Sequence, residues 1–156
     1  AQMLTLFITS SQSTIIASQA NLTGNLIATT IETRLRNMSP TSYSTCPGET
    51  NCIIAIQSYQ YIIDENGITI DYFDEPNTLE ISFADGQISL LREIGTPLIM
   101  DLNGFELKDT STIIILGSSG TPVDGEKVTL IFEFVLVAKE KEYPFTASYS
   151  FEIDLS

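Results

Sequence analysis

The stretch STIIASQANLTGNLIATTIETRLRNMSP, Ser13 to Pro40, decides how the rest of the chain is read. Ile27, Ile31, Leu35 and Met38 step by three or four, the spacing of one helix face. Leu4, Ile8, Ile15, Leu22 and Leu26 form a second stripe, offset by roughly 130° at ~100° per residue. No charged side chain precedes Glu32, yet Ser, Thr, Asn and Gln interrupt the apolar positions throughout. The segment is too polar for a membrane span and too apolar for a free surface helix. One stripe can cover the protein's own sheet. The other needs a different partner, unless the helix is buried on both sides within one domain. Glu32 and Arg36 stand in the favourable i, i+4 order for an ion pair. Pro40 ends the helix and pushes Met38 and Ser39 towards extended backbone.

Beyond the helix the hydrophobic period changes from about 3.6 to two. Ile53 to Ile63 and Ile68 to Phe73 flank Asn66-Gly67, a hairpin signal, and Thr78 to Phe83 and Gln87 to Ile94 flank Ala84-Asp85-Gly86, a second. Leu98 to Leu107 and Thr112 to Leu116 are shorter runs, the first interrupted by Asn103-Gly104. VTLIFEFVLV, Val128 to Val137, is apolar on both sides apart from Glu133, as expected of a centrally buried strand. The final segment alternates. Tyr143, Phe145, Ala147, Tyr149, Phe151, Ile153 and Leu155 face one way, and Thr146, Ser148, Ser150, Glu152 and Asp154 the other. That pattern predicts an antiparallel sheet covered on a single face. The expected fold is α+β: a long N-terminal amphipathic helix packed on an antiparallel sheet. A single domain is expected over residues 1–156, with the helix at 1–39, a cysteine loop at 40–52 and the sheet at 53–156.

At 156 residues, one domain can bury roughly 70% of the surface of its unfolded chain. Twenty acidic residues against seven basic ones give a formal charge of −13, which disfavours nucleic acid and anionic lipid as partners. The simplest role of that charge is solubility, with specific cation binding as the alternative. There is no histidine, so the commonest general base and commonest transition-metal ligand are missing. A nucleophile would depend on Lys108, Lys127, Lys139, Lys141 or a carboxylate. The carboxylate pairs Asp64/Glu65, Asp74/Glu75 and Glu140/Glu142 all lie in expected turns, where solvated acids are the default. An enzyme is therefore not expected, and neither is a cofactor.

CPGETNC places Cys46 and Cys52 at either side of a Pro-Gly turn. No second Cys pair or His is available to complete a zinc site, which favours a disulfide over two reduced thiols and places the domain outside the cytoplasm. Asp64, Glu65 and Asn66 offer hard oxygens to a calcium ion, a weak candidate because an Asx turn accounts for the same residues. Asp71, Asp74 and Asn77 offer a similar group. GSSG at Gly117 to Gly120 lacks the Lys-Ser/Thr that a phosphate cradle needs. No run of apolar residues is long enough to span a membrane.

SQANLTGNLIATTIETRLRNM resembles the second, amphipathic half of the N-terminal helix in the type IV pilin superfamily. ISLLREIGTPLIMDLNGFEL, with VTLIFEFVLV and YPFTASYSFEIDL, is similar to the larger, J-like minor pilins and pseudopilins of type II secretion. The similarity covers most of the chain as an order of elements. The basic leader and the following apolar stretch with its early glutamate have no counterpart here, so the chain would be a soluble domain lacking its membrane-spanning start. The resemblance implies a non-enzymatic minor subunit of a type IV pilus or related secretion filament, acting in assembly initiation or at the tip. Its partners would be other pilin or pseudopilin subunits. It would be extracellular or at the cell surface, held in the membrane before assembly by a segment outside this chain. The helix stripes would then be packing surfaces. The alternative is a free-standing extracellular adhesin or ligand-binding module that uses the acidic turns from Asp64 to Asn77.

Overall fold

The computed structural model describes residues 2–92 and 97–156, with the side chains of the first helical turns described from residue 12 onward. The side chains of Leu4 and Ile8 of the second stripe, and the whole of Ile94, fall outside what is described. Helix α1 runs over Gln2–Met38. It is followed by β1 (Ser42–Thr45), β2 (Cys52–Asp64), β3 (Gly67–Ala84), β4 (Gln87–Arg92), β5 (Leu98–Ile99), β6 (Glu106–Leu107), β7 (Thr112–Leu116), β8 (Lys127–Ala138) and β9 (Lys141–Glu152). No helix among the described residues is long and apolar enough to cross a membrane.

The strands form two sheets, and this corrects the expected α+β arrangement of one long amphipathic helix on one antiparallel sheet, the pilin-like fold. Among the described residues antiparallel strand predominates and there is one helix. The first sheet has the order β1-β2-β3-β4-β5. In the second, β8 is central: β9 pairs along one edge, while β6 and β7 lie end to end along the other. The sheets meet where Phe83 of β3 approaches Phe132 and Phe134 of β8, with ring centroids 6.3 Å and 6.2 Å apart. Sequence alternation showed which side of each strand is apolar. It did not show that the apolar sides of β3 and β8 cover one another.

Helix α1 lies along β9 and shares the core with both sheets. Ala20, Ile27, Ile31 and Leu35 are fully buried on its inner face, and Met38 packs partly against the same core. Glu32 does not pair with Arg36. Its Oε1 instead accepts the Ser148 N–H at 3.1 Å, satisfying a donor on the outer edge of β9. Ser39 is not extended either: it closes the helix in the left-handed region (φ 54°), its N–H bonded to Leu35 O at 3.0 Å. Thr41 then ties the chain to both neighbours, donating its N–H to Ile56 O and accepting the Asp154 N–H.

Three strand expectations also change. Thr78 to Phe83 is not a separate strand from Ile68 to Phe73, because β3 continues through both and pairs with β2 on either side of an unpaired stretch from Phe73 to Pro76. Pro76 is accommodated where the register shifts between Gln57 and Tyr59, so its missing N–H costs no ladder bond. Leu98 to Leu107 divides between β5 and β6, in different sheets, across a turn with Asn103 and Gly104 at positive φ. In β8 the even-numbered residues Val128 to Leu136 are fully buried, while the odd-numbered side is partly open at Thr129, Ile131 and Val135 and exposed at Glu133.

Candidate interaction surfaces

Beyond the register shift, β2 and β3 leave the body of the sheet as a two-stranded arm. Side chains directly opposite in an antiparallel pair share a face, and successive residues alternate faces. The pairs Tyr59–Tyr72, Tyr61–Ile70 and Ile63–Ile68 therefore line one side of the arm without a polar residue among them. Most of that side faces solvent: Tyr61 is 63% exposed, Ile63 79%, Ile68 68% and Tyr72 57%. The Tyr59 ring meets Tyr61 and Tyr72 edge-on at 5.6 Å and 5.7 Å. The other side is mostly polar, with Gln60 Nε2 donating to Asp71 Oδ2 at 3.3 Å, and Ile62 opposite Thr69. These six Tyr and Ile side chains expose roughly 500 Å² of mostly apolar surface, at the upper end for a single patch on a monomer.

A bond at its root anchors the arm. Tyr59 donates its hydroxyl to Asp154 Oδ2 at 2.8 Å, and Ser156 donates both its N–H and its hydroxyl to Asp154 Oδ1. The Asp154 hydrogen bond, followed by burial, pushes the Tyr59 hydroxyl above the ordinary phenol range. The Ser156 hydroxyl first, then Tyr59, holds the Asp154 carboxyl below its ordinary value.

The second surface is on the helix. Ile15, Leu22 and Leu26 stand on the side turned away from the core and are 56%, 70% and 62% exposed. Ile27, Ile31 and Leu35 occupy the inner face with Gly24, over which Phe145 of β9 lies. The helix thus carries one apolar stripe inside the domain and one outside.

Cys46 and Cys52 form a disulfide, with their Cα atoms 5.5 Å apart. It pins β1 to the start of β2, where Thr45 and Ile53 are paired. Glu80 Oε1 lies 3.2 Å from Cys52 Sγ, a contact without a donor because a disulfide sulfur carries no proton. Cys46, Glu49, Cys52 and Glu80 gather their side-chain ends within 4.8 Å of one another, but the bonded sulfurs offer no thiolate to a metal.

Asp64, Glu65 and Asn66 sit at the tip of the arm. Asp64 Oδ1 accepts the Asn66 N–H at 2.8 Å, an Asx turn. Among the described residues, the cysteine–glutamate group is the one cluster of His, Cys, Asp or Glu side chains close enough together to share an ion. In the similar candidate group, Asp71 Oδ2 accepts from Gln60 Nε2 and Asn77 Nδ2 donates to Gln57 Oε1. Glu142 pairs with Lys108 in the one ion pair among the described residues. In the GSSG loop, Ser118 hydrogen-bonds the Tyr43 hydroxyl and its Oγ accepts the Gly120 N–H at 3.3 Å.

The apolar side of the arm is the surface that sequence reasoning missed. Its signal was present in Tyr59, Tyr61, Ile63, Ile68, Ile70 and Tyr72, one parity on each strand, but alternation alone does not distinguish a covered face from an open one. No family model, curated protein or solved structure matches this chain.

Proposed function

We propose that this chain is a non-enzymatic minor subunit of an extracellular filament of the type IV pilus or type II secretion-like kind. In this reading it acts in assembly initiation or at the tip, with other pilin or pseudopilin subunits as its neighbours. The observation that carries the reading is the pair of exposed apolar surfaces, the helix stripe at Ile15, Leu22 and Leu26 and the Tyr/Ile side of the β2–β3 arm. Two different surfaces that suit one another join subunits head to tail, and such a contact builds open chains unless its rotation closes a ring. The disulfide favours a location outside the cytoplasm. The net charge of −13 keeps lone copies apart at low ionic strength and is screened within about 8 Å at physiological salt.

The reading is tested in the source cells by shearing surface fibres from them. The chain should travel with the fibre fraction as a minor component. Recovery only as free protein would favour the alternative, an adhesin or ligand-binding module, for which the exposed arm is the contact surface.

A further inference from the structure

The outer side of the helix changes character after Leu26. Thr29, Thr33 and Asn37 continue that side as polar residues, and Arg34 stands beside them. Arg92, at the end of β4, faces the same place, together with Gln57 of β2 and Asn77 of β3. Between them lies a cleft of about 410 Å³, which adjoins a second hollow of about 540 Å³ bounded by the threonines and both arginines.

The charges in this cleft run against the rest of the molecule. The chain has 20 acidic and 7 basic residues, yet Arg34 and Arg92 both line the two hollows and, among the described residues, no carboxylate does. Neither guanidinium has an ion pair among the described residues, where Lys108–Glu142 is the one such pair. The polar groups around them are also prepared for a ligand. Gln57 is buried and its Oε1 accepts the Asn77 Nδ2 at 3.2 Å, which fixes both amides and leaves the Gln57 amide nitrogen and the Asn77 carbonyl oxygen for other partners. Thr30 bonds back to Leu26 O, whereas Thr29 and Thr33 have no such bond.

We propose that this cleft binds a saccharide that carries a carboxylate. Guanidinium forks match a carboxylate in two parallel hydrogen bonds. Fixed amides and threonine hydroxyls match ring hydroxyls, which donate and accept. The volume is within the range of small-ligand pockets. A neutral sugar leaves the arginines unmatched, and a bare anion leaves the amides unused. The acidic surface outside the cleft disfavours a long polyphosphate. Met38 and Leu79 also line the cleft and give it an apolar portion beside the polar groups. This site is independent of filament assembly, because the residues that line it follow the apolar stripe and a chain that never assembles would still hold the ligand.

The test uses the full chain, labelled with ¹⁵N, and follows the Nε–H resonances of Arg34, Arg36 and Arg92 during titration with trigalacturonate. Galactose and sodium acetate serve as the neutral and bare-anion probes. The Arg34 and Arg92 resonances should shift to saturation with trigalacturonate while Arg36 stays in place, and the two control probes should bind at least about tenfold more weakly. Arg34→Gln and Arg92→Gln should each weaken binding by about tenfold or more, and Arg36→Gln should not. Arg92→Lys keeps the charge and the fold but loses the fork, so it should weaken binding too. The proposal is overturned if no saturable shift occurs, if acetate binds as well as trigalacturonate, or if Arg36→Gln weakens binding equally. It is also overturned if the Arg34 and Arg92 variants lose self-association instead, because a neighbour's carboxylates would then occupy the cleft.

Discussion

The ring of Phe145 lies across Gly24, so close that a methyl group at that helix position would fall inside it. Phe145 is itself stacked on Phe134, with centroids 5.5 Å apart and planes 23° from parallel, so it cannot swing aside without disturbing β8. The absence of a side chain at one helix position thus sets how near α1 approaches β9.

Gly24→Ala should therefore destabilise the protein even though alanine is the better helix former. Overpacking costs about 1–3 kcal/mol, and the gain in helix propensity offsets ~1 kcal/mol of it. A net loss of about 1 kcal/mol is expected in urea unfolding. Phe145→Leu should remove most of that penalty when combined with Gly24→Ala. A Gly24→Ala protein more stable than wild type would mean that the ring does not set the helix approach.

The anchor of the arm should respond to pH in two directions. Asp154 is held below its ordinary value, so its contribution is complete above the ordinary carboxylate range and is lost as pH falls through the lowered native value. Tyr59 is raised, so its contribution is complete below the ordinary phenol value of about 10 and is lost as pH rises towards the native value. Amide exchange in the arm, from Tyr59 to Tyr72, should be slowest between these limits after correction for intrinsic rates. Tyr59→Phe should raise exchange across the whole range and remove the alkaline response. An arm indifferent to Tyr59→Phe would show that the Asp154 bond does not hold it.

The strand pattern of β9 and the turn at Asp85-Gly86 were legible because each depends on local rules, alternation and positive φ. What was not legible depends on partners distant in the chain. Glu32 has an arginine one turn away yet bonds Ser148, because an unpaired sheet-edge N–H binds a carboxylate more tightly than an exposed arginine does. Ile68 to Phe73 and Thr78 to Phe83 read as two runs, but the register shift absorbs the residues between them and β3 continues. Both stripes of α1 were legible as stripes, whereas which one the sheets cover depended on their placement. Arg34 and Arg92 lie on different elements, α1 and the end of β4, and only the tertiary fold brings them to one cleft.

Replacing both Cys46 and Cys52 with serine should cost about 2 kcal/mol, as expected for a short closed loop with a sequence separation of 6. The damage should be local. Amide exchange should quicken in Ser42–Thr45, and at Phe83, whose N–H bonds Asn51 O within the loop at 2.9 Å. The arm should be unaffected. Global unfolding at room temperature would show instead that the loop holds the two sheets together.

The most direct measurement is sedimentation velocity on two variants, each lacking one surface, alone and mixed at physiological salt. Leu26→Asp places a charge in the helix stripe and leaves the arm intact, and Tyr61→Asp does the reverse. Wild type should form chains that lengthen with concentration, and each variant alone should stay monomeric. The equimolar mixture should form a one-to-one dimer and stop there, because only one intact stripe and one intact arm can meet. If the mixture stays monomeric while wild type associates, or if either variant associates as wild type does, the stripe and the arm are not the two halves of one contact.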